Sequence, residues 1–161
     1  MCPQCRSEYE DPANRRFHAE PIACPVCGPS LSYHEDGEIA EDEAALEKAV
    51  NALRQEKVIA VRGIGGYHLM CDAGSSEAVA RLRKNKPRAH KPLAVMFPAP
   101  AGSPFAFAEK SLLLSDSDKA FLLQPSRPIL LVQKKATEPA DNVLSELVAP
   151  GLGEVGMMLP Y

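Results

Sequence analysis

Residues 59–73 read IAVRGIGGYHLMCDA, and residues 86–96 read KPRAHKPLAVM. The first segment continues a β-branched run at 58–61, which predicts a short buried strand leading into a glycine-rich turn. The second segment places basic residues and two prolines directly before another apolar strand, expected at 92–96. A fold that brings cations to a cradle of backbone amides favours an anion, and a nucleotide phosphate fits this combination.

The basic residues around the second segment are concentrated. Six Lys or Arg and no acidic residue lie from Arg81 to Lys91, although the 161-residue chain has a net charge of -3. The helical part of this run, 81–84, is expected to be a solvated surface. Lys86, Arg88 and Lys91 lie in the proline-containing part before the strand, where we expect contacts with phosphate.

The glycine turn is a weak motif by itself. Gly63, Gly65 and Gly66 have neither GxGxxG nor Walker A spacing, so close approach to a ligand and a plain turn are both open. His68 and His90 are candidate acid–base groups, but the sequence gives neither one a carboxylate at a fixed spacing. Local hydrogen bonding in turns is the simpler interpretation, and no catalytic residue is assigned.

Four of the five cysteines form two CxxC pairs, Cys2 with Cys5 and Cys24 with Cys27. Two residues between cysteines let both thiolates reach one ion, and eighteen residues between the pairs is typical of a four-cysteine zinc site. Because four thiolates close the coordination shell, the predicted zinc is structural. The fifth, Cys71, is expected to be a small buried residue.

His18 could replace one of these cysteines as a ligand, but a surface or neighbouring role is favoured because four cysteines suffice. A thioredoxin-like redox role is disfavoured, since no βαβ pattern surrounds either pair. Few large apolar residues lie between the pairs, so zinc is expected to supply most of the folding energy of this module.

The remaining sequence predicts strands alternating with helices, which is the α/β class. Residues 30–42 are acidic and aperiodic and predict a linker, with a short strand at 31–33 as an option. Helices are predicted over 42–55 and, capped by Ser75 or Ser76, to about 85. Further along, the pattern predicts helical turns at 109–123, with Leu112, Leu113, Phe121 and Leu122 inward, a strand at 129–132 and a further segment at 143–147.

Composition excludes several classes of protein. Apolar residues make up 45% of the chain, no run is long enough to span a membrane, and no secretory signal opens the sequence. Net negative charge argues against a general nucleic-acid binder. Paired thiols without an export signal favour a reducing compartment, so a cytoplasmic protein is expected. The abrupt ends predict a fragment of something longer.

Several motifs, in order, resemble one known family. Residues 2–5, 11–12, 15–19 and 23–29 resemble the second zinc-finger repeat of the HypF carbamoyltransferases. Residues 63–73, 86–88, 91–96, 127–129 and 154–160 look like the start of the YrdC-like domain of that family. The resemblance implies a zinc-finger module at 1–34 and, at 35–161, the N-terminal part of a YrdC-like domain. The implied fold is α/β (α+β), with a twisted mixed sheet and helices.

The same resemblance implies a reaction. HypF proteins use carbamoyl phosphate and ATP to form carbamoyl-adenylate, and pass the carbamoyl group to the C-terminal cysteine of HypE. There it becomes a cyanide ligand of [NiFe]-hydrogenase. Mg²⁺ is expected to accompany the ATP phosphates. In related domains a Lys-x-Arg pair lies beside the nucleotide and carbamoyl groups. The corresponding residues here are Lys86 and Arg88, surrounded by Lys91, Arg62, Gly65, Gly66, Tyr67 and His68.

Two departures from the family pattern matter. Arg62 stands where the family commonly has Lys, which keeps the charge but changes its geometry. The later Ser-x-Asn segment of the nucleotide site is not in this sequence, so the chain alone is expected to bind nucleotide weakly and not to turn over.

A zinc-dependent RNA-binding module is the alternative, with the basic run contacting phosphates. Aromatic residues do not interleave with that run, and Tyr67 is the nearest one, so double-stranded RNA and other nucleic acids are disfavoured as partners.

Overall fold

The structure is a computed structural model, and it describes residues 1–20, 23–63, 65–87, 91–136 and 143–161. Contacts divide the chain into two compact units, Met1–Asn51 and Ala52–Tyr161. The division falls inside a helix, Asp42–Arg54, so this helix contributes residues to both units.

The first unit contains one helix, one hairpin and most of a second helix. In chain order these elements are α1 (Pro3–Glu10), β1 (Ser32–Glu35), β2 (Glu38–Glu41) and α2 (Asp42–Arg54). Cys2 is the N-cap of α1, and Pro3 occupies its first position, where the missing N–H removes no helical hydrogen bond. Its start therefore fixes the first CxxC pair in a helical turn.

The linker expected over 30–42 is wrong, because β1 and β2 form an antiparallel hairpin there, but the short strand considered at 31–33 overlaps β1. Asp36 and Gly37 connect the strands, and their φ angles are 50° and 88°. Two successive positive φ angles are characteristic of the type I′ turn, for which Asp-Gly is a preferred pair. The acidic composition obscured this turn, although the dipeptide itself is a hairpin signal.

Helix α2 confirms the helix predicted over 42–55. Ala45 and Ala52, seven residues apart, are its most buried side chains, at 4% and 3% exposure. Leu46, predicted on the same apolar face, is exposed. The buried stripe is therefore narrower than the sequence pattern indicates.

The second unit begins with an antiparallel hairpin, β3 (Ile59–Gly63) and β4 (Gly66–Met70), which we call the glycine hairpin. The strand expected over 58–61 is confirmed in place but not in burial, because Val61, Leu69 and Met70 are all at least 36% exposed. Among the described residues each strand pairs only with the other, so neither has the two-sided cover that a buried strand needs.

A three-stranded mixed sheet follows, made of β5 (Ala94–Met96), β6 (Leu130–Gln133) and β7 (Glu154–Met158). The central strand is β7, which runs parallel to β5 and antiparallel to β6. Nothing in the sequence analysis predicts a strand at 154–158. Gly156 suits the central position, because a Cβ atom there would lie 3.3 Å from a methyl carbon of Ile129.

Helices α3 (Ser76–Asn85) and α4 (Asp116–Leu122) and two 3-10 turns, Ala108–Lys110 and Glu146–Val148, complete the unit. The N-cap of α3 is Ser75, whose hydroxyl accepts a hydrogen bond from the Ala78 N–H, which confirms the predicted start. The helical turns expected at 109–123 are broken by a new cap at Ser115. Leu112 and Leu122 are fully buried as predicted, but Leu113 and Phe121 are exposed, contrary to prediction, because the break changes which side each presents.

The main hydrophobic core lies in the second unit. Its buried members come from β5, β6, β7, α3, α4 and the segments between them: Val79, Val95, Phe97, Phe105, Ala108, Leu112, Leu122, Val132, Leu144, Val148, Ala149, Val155, Met157 and Leu159. Cys71 packs against this core while remaining half-buried, so its predicted burial is confirmed only in part. In the described part of the chain no helix combines the length and apolarity needed to cross a bilayer.

Candidate metal centre and candidate nucleotide site

The four cysteines of the two CxxC pairs meet in the first unit. The sulfur atoms of Cys2, Cys5, Cys24 and Cys27 all lie within 4.8 Å of one another, and we call this group the cysteine cluster. Cys2 Sγ lies 3.9 Å from Cys24 Sγ, and Cys27 Sγ lies 3.7 Å from Cys5 Sγ. The predicted convergence of the two pairs is therefore confirmed.

These separations fit a tetrahedral zinc ion. Zn–S bonds of about 2.3 Å place tetrahedral sulfur atoms about 3.8 Å apart. The Cys2–Cys24 and Cys5–Cys27 sulfur distances match that edge length, and both join cysteines from different CxxC pairs. A set of four thiols, with no carboxylate or imidazole in the cluster, suits zinc in a closed structural site.

The two pairs are held by different local structures. Cys2 and Cys5 occupy the start of α1, where the Arg6 N–H donates to the Cys2 carbonyl at 3.0 Å. Cys24 and Cys27 lie in a tight turn, where the Gly28 N–H donates to the Cys24 carbonyl at 2.8 Å and the Val26 N–H points at Cys24 Sγ at 3.4 Å. Backbone donors thus orient the second pair.

The thiol pKa values differ across the cluster. Backbone N–H groups of Cys27 and Val26, with further hydrogen bonds from neighbouring thiols, lower the pKa of Cys24 to about 6. The pKa of Cys5 is raised, because its thiol donates to Cys24, is buried and faces other sulfurs. Without a cation, four adjacent thiols cannot all ionise. A divalent ion removes that conflict.

His18 is not a member of the cysteine cluster. Its ring is stacked between two aromatic rings, with centroid separations of 4.9 Å from Tyr9 and 4.2 Å from Phe17. The backbone N–H of His18 donates to the Tyr9 carbonyl at 3.1 Å. His18 is exposed, which agrees with the surface role favoured for it, and its role as a replacement ligand has no support.

An ion pair that no sequence motif indicates lies beside the cysteine cluster. Arg16 Nη1 donates to Glu8 Oε2 at 2.7 Å. Both residues line a cavity of about 600 Å³ together with Cys5 and Cys24. The spacing of Cys5 and Glu8, three residues apart on a helix, was the available signal, because such residues share one face.

The glycine hairpin separates the predicted nucleotide residues onto two faces. Arg62 lies opposite Tyr67 in the register, so both side chains leave the same face. His68 lies opposite Val61 on the other face, and its imidazole covers Gly63, where an added Cβ would lie 2.9 Å from Nε2. Arg62 and Tyr67 therefore can share a ligand, whereas His68 faces away from them.

Two arginine side chains of the basic run donate hydrogen bonds to backbone carbonyls. Arg83 donates to the carbonyls of Leu147 at 2.5 Å, Val148 at 3.1 Å and Lys91 at 3.2 Å. Arg81 donates to the Glu56 carbonyl at 2.5 Å. The solvated surface expected over 81–84 is therefore wrong for Arg83, which fastens the residue at 91 to the 3-10 turn Glu146–Val148.

Lys86 and Lys91 are both exposed, and no partner for either side chain is found within the described ranges. Arg88 and His90 lie outside the described residues, so the Lys86–Arg88 pair remains a prediction. Gly65 and Gly66 form the end of the hairpin, and Gly66 has a φ of 131°. That angle favours glycine whether or not a ligand binds.

Asp72 accepts a hydrogen bond from the Gly74 N–H at 2.8 Å, which is a local turn contact. The Cys71 thiol beside it has a raised pKa, because burial and then the Asp72 charge disfavour the thiolate. The Asp72 hydrogen bond therefore stabilises a turn, and the raised pKa of Cys71 does not suit a nucleophilic thiolate.

Comparison with known proteins supports both units. Residues 51–161 match the Sua5, YciO and YrdC family, described as "Telomere recombination", and residues 1–34 match the family "HypF finger". Carbamoyltransferase HypF of Rhodobacter capsulatus is 44% identical over 162 residues, which cover 100% of this chain and 20% of that protein.

Two solved structures resemble this one over its whole length. The crystal structure of T. kodakarensis HypF has a TM-score of 0.80 and 42% identity, and 20% of that chain is covered. A structure of full-length HypF in the phosphate- and nucleotide-bound form has a TM-score of 0.72 and 36% identity, again with 20% covered. The chain thus spans about a fifth of the length of these relatives.

Proposed function

Because the chain belongs to the HypF family of carbamoyltransferases, we propose that it forms a zinc finger and part of the ATP-using, YrdC-like domain of such an enzyme. In this proposal residues 1–34 are the finger and 35–161 belong to the YrdC-like part. The finger match supports a boundary after residue 34. Contacts instead group the β1–β2 hairpin with the finger, so the role of 35–51 is the open part of this assignment.

The division within the basic run carries the nucleotide part of the proposal. Arg81 and Arg83 are occupied by backbone carbonyls, whereas Lys86 and Lys91 are exposed on a segment whose far end Arg83 fastens. A cation that has no partner among the residues the structure describes suits phosphate binding. The relative solved in a phosphate- and nucleotide-bound form supports the same ligand class.

We assign eight residues to the nucleotide and carbamoyl site, shared between the glycine hairpin and the basic segment: Arg62, Gly65, Gly66, Tyr67, His68, Lys86, Arg88 and Lys91. Arg62 and Tyr67 share a hairpin face, which makes them the stronger candidates there. His68, on the opposite face, is the weakest member of the set.

The proposed chemistry is carbamoyl adenylation followed by transfer. Hydrolysis of carbamoyl phosphate by water releases carbamate and inorganic phosphate. An oxygen of carbamate attacks the α-phosphorus of ATP, and the bond to the β-phosphate breaks with pyrophosphate leaving. Lysine and arginine charges stabilise the negative charge that develops on the phosphates. Mg²⁺ bound by the triphosphate would add to that stabilisation.

A cysteine thiolate of the acceptor then attacks the carbamoyl carbon, and AMP leaves. We propose the C-terminal cysteine of HypE as that acceptor. The paired thiols of the finger must stay reduced to bind zinc, which supports the cytoplasm as the site of action.

A chimera tests the proposal, with this chain replacing the matching fifth of the Rhodobacter capsulatus relative. Lys86→Ala should reduce carbamoyl-phosphate-dependent exchange of pyrophosphate into ATP by about tenfold or more, because one charged contact to the phosphates is lost. Lys84→Ala is the matched control, since it removes the same charge from the same run and should change exchange by less than about twofold.

Equal losses in the two variants would show a general charge effect, and unchanged exchange in Lys86→Ala would remove that residue from the site. A salt titration of RNA binding by the zinc-loaded chain examines the alternative function. A steep dependence of RNA affinity on salt would favour the RNA-binding module.

A further inference from the structure

Zinc with four thiolates carries two uncompensated negative charges. Cys5 is 1% exposed and Cys24 is 9% exposed, so two of the four ligand cysteines have little contact with water. The Val26 N–H offers a partial positive charge to Cys24. Such partial charges neutralise only a small part of the two negative charges. A cationic side chain nearby is therefore expected to stabilise the cysteine cluster with zinc bound.

Arg16 is placed to be that cation. Cys5 and Glu8 leave the same face of α1, and the Glu8 carboxylate accepts from the Arg16 guanidinium at 2.7 Å. The guanidinium therefore lies along the face that carries a ligand sulfur. Arg16, Glu8, Cys5 and Cys24 all line the same cavity of about 600 Å³.

The backbone that carries Arg16 is fixed by its own turns. The Arg16 N–H donates to Asn14 Oδ1 at 2.9 Å, and the Ala19 N–H donates to the Arg16 carbonyl at 3.1 Å. The Arg16 side chain is 36% exposed and that of Glu8 is 22% exposed. Both are thus partly shielded, unlike the fully solvated pairs that contribute little.

We propose that Arg16 is the counter-charge of the cysteine cluster and that Glu8 competes with the sulfurs for its guanidinium. Because the carboxylate and the sulfurs share one cation, Glu8 draws part of its charge away from zinc. In agreement, attraction to Glu8 first, and then to Cys5 and Cys24, raises the pKa of Arg16.

This arrangement predicts opposite effects for the two partners. Arg16→Gln removes the cation and leaves a carboxylate beside a negative centre, so zinc should transfer to a competing chelator about tenfold faster. Glu8→Gln leaves the cation to the sulfurs alone, and transfer should be unchanged or slower. The double variant should recover part of the loss, because the repelling carboxylate is then absent.

The experiment uses the full chain loaded with zinc, with the rate of zinc transfer as its readout. Arg6→Gln is the control: it removes the same charge from an exposed position of α1 that does not line the cavity, and it should change the rate by less than about twofold. Raising the salt concentration should reduce the difference in zinc-transfer rate between Arg16→Gln and the parent chain, because salt screens the charge of Arg16. Cobalt-loaded samples report, through the thiolate-to-cobalt absorption band, whether all four sulfurs remain ligands.

Arg16→Lys separates charge from shape. Rescue by Lys, with Gln defective, supports the proposal even where Arg16→Gln takes up little metal. Equally fast zinc transfer in Arg16→Lys and Arg16→Gln would overturn the proposal, because the shape of the side chain and not its charge would then matter. Glu8→Gln transferring zinc as fast as Arg16→Gln would also overturn it, because the ion pair would then have only a structural role. An Arg16→Gln rate equal to that of Arg6→Gln would also overturn it.

Discussion

Gly28 shows how one missing side chain shapes the metal centre. A Cβ atom on Gly28 would lie 2.4 Å from the Cys24 carbonyl oxygen and 2.7 Å from the Cys24 nitrogen. Both atoms belong to the backbone of the turn that carries Cys24 and Cys27, so they cannot move aside alone. The turn tolerates only hydrogen at this position.

Gly28→Ala should therefore weaken zinc binding by about 1–3 kcal/mol, the usual range for forcing an extra carbon into a packed site. Competition with a chelator of known affinity measures the change. Gly153→Ala is the control, because a Cβ there meets nothing within 4 Å. Similar losses in both variants would mean that the contact to Cys24 has no special weight.

At the residue scale, sequence predicts what local spacing encodes and misses what distant contacts decide. The four zinc ligands could be identified because each pair is set by a two-residue interval. Arg83 could not, since its acceptors lie at Lys91, Leu147 and Val148. A basic residue in a helix looks solvated until its carbonyl partners are known.

At the element scale, α4 has the best defined start. The Ser115 hydroxyl accepts from the Asp118 N–H, and the Asp118 carboxylate accepts from the Ser115 N–H, which is a capping box. Hydrogen bonds from Ser115 lower the pKa of Asp118 below its ordinary value of 3.8. The ionised form of Asp118 therefore stabilises the folded helix.

Ser115→Ala should destabilise the second unit by about 1 kcal/mol through loss of the cap. For Asp118, the folded pKa lies below the unfolded value, so its stabilising effect is present above pH 4 and is lost as pH falls through the folded pKa. Asp118→Asn should consequently lower the free energy of unfolding at neutral pH and lose that effect in acid. Denaturant titrations at several pH values measure this.

Asp116→Asn is the matched control for that titration, since it removes a carboxylate from the same first turn. A general helix-dipole effect would make the two aspartate variants equal at every pH. The capping box requires the larger and more pH-dependent change at Asp118.

Sequence patterns located most elements but not their partners. Helices α2 and α3 have periodic apolar faces, and α3 also has a local cap at Ser75, so both were predictable. Strand β7 was not, because its glycine and two methionines carry little β-propensity and its place is set by β5 and β6. Exposure of the glycine hairpin was equally unpredictable, since an apolar β-branched run reads as buried until its neighbours are known.

At the scale of the whole molecule, the two units depend on different forces. The hydrophobic cluster lies entirely in the second unit, while the buried apolar residues of the first are Cys5, Cys24 and Ala45 among those described. So small a core rarely holds a fold together without a metal or a disulfide. The first unit should therefore depend on its metal and the second should not.

Removing zinc with a chelator should expose the amides of 1–20 to rapid hydrogen exchange while the amides of β6 and β7 stay protected. Cys24→Ser should reproduce the chelated state without chelator. Cys71→Ser should keep both zinc and protection, because Cys71 is outside the cluster. Loss of protection in β7 on chelation would show that the units unfold together.

The central place of β7 also sets an order in time. A ribosome releases β5 and β6 before β7, yet neither of those strands pairs with the other. Until residues 154–158 have left the ribosome, β5 and β6 lack the strand with which both of them pair. Unpaired strands in a nascent chain are prone to aggregate, and chaperones bind such chains. The three strands can therefore pair only after β7, the central strand, has been synthesised.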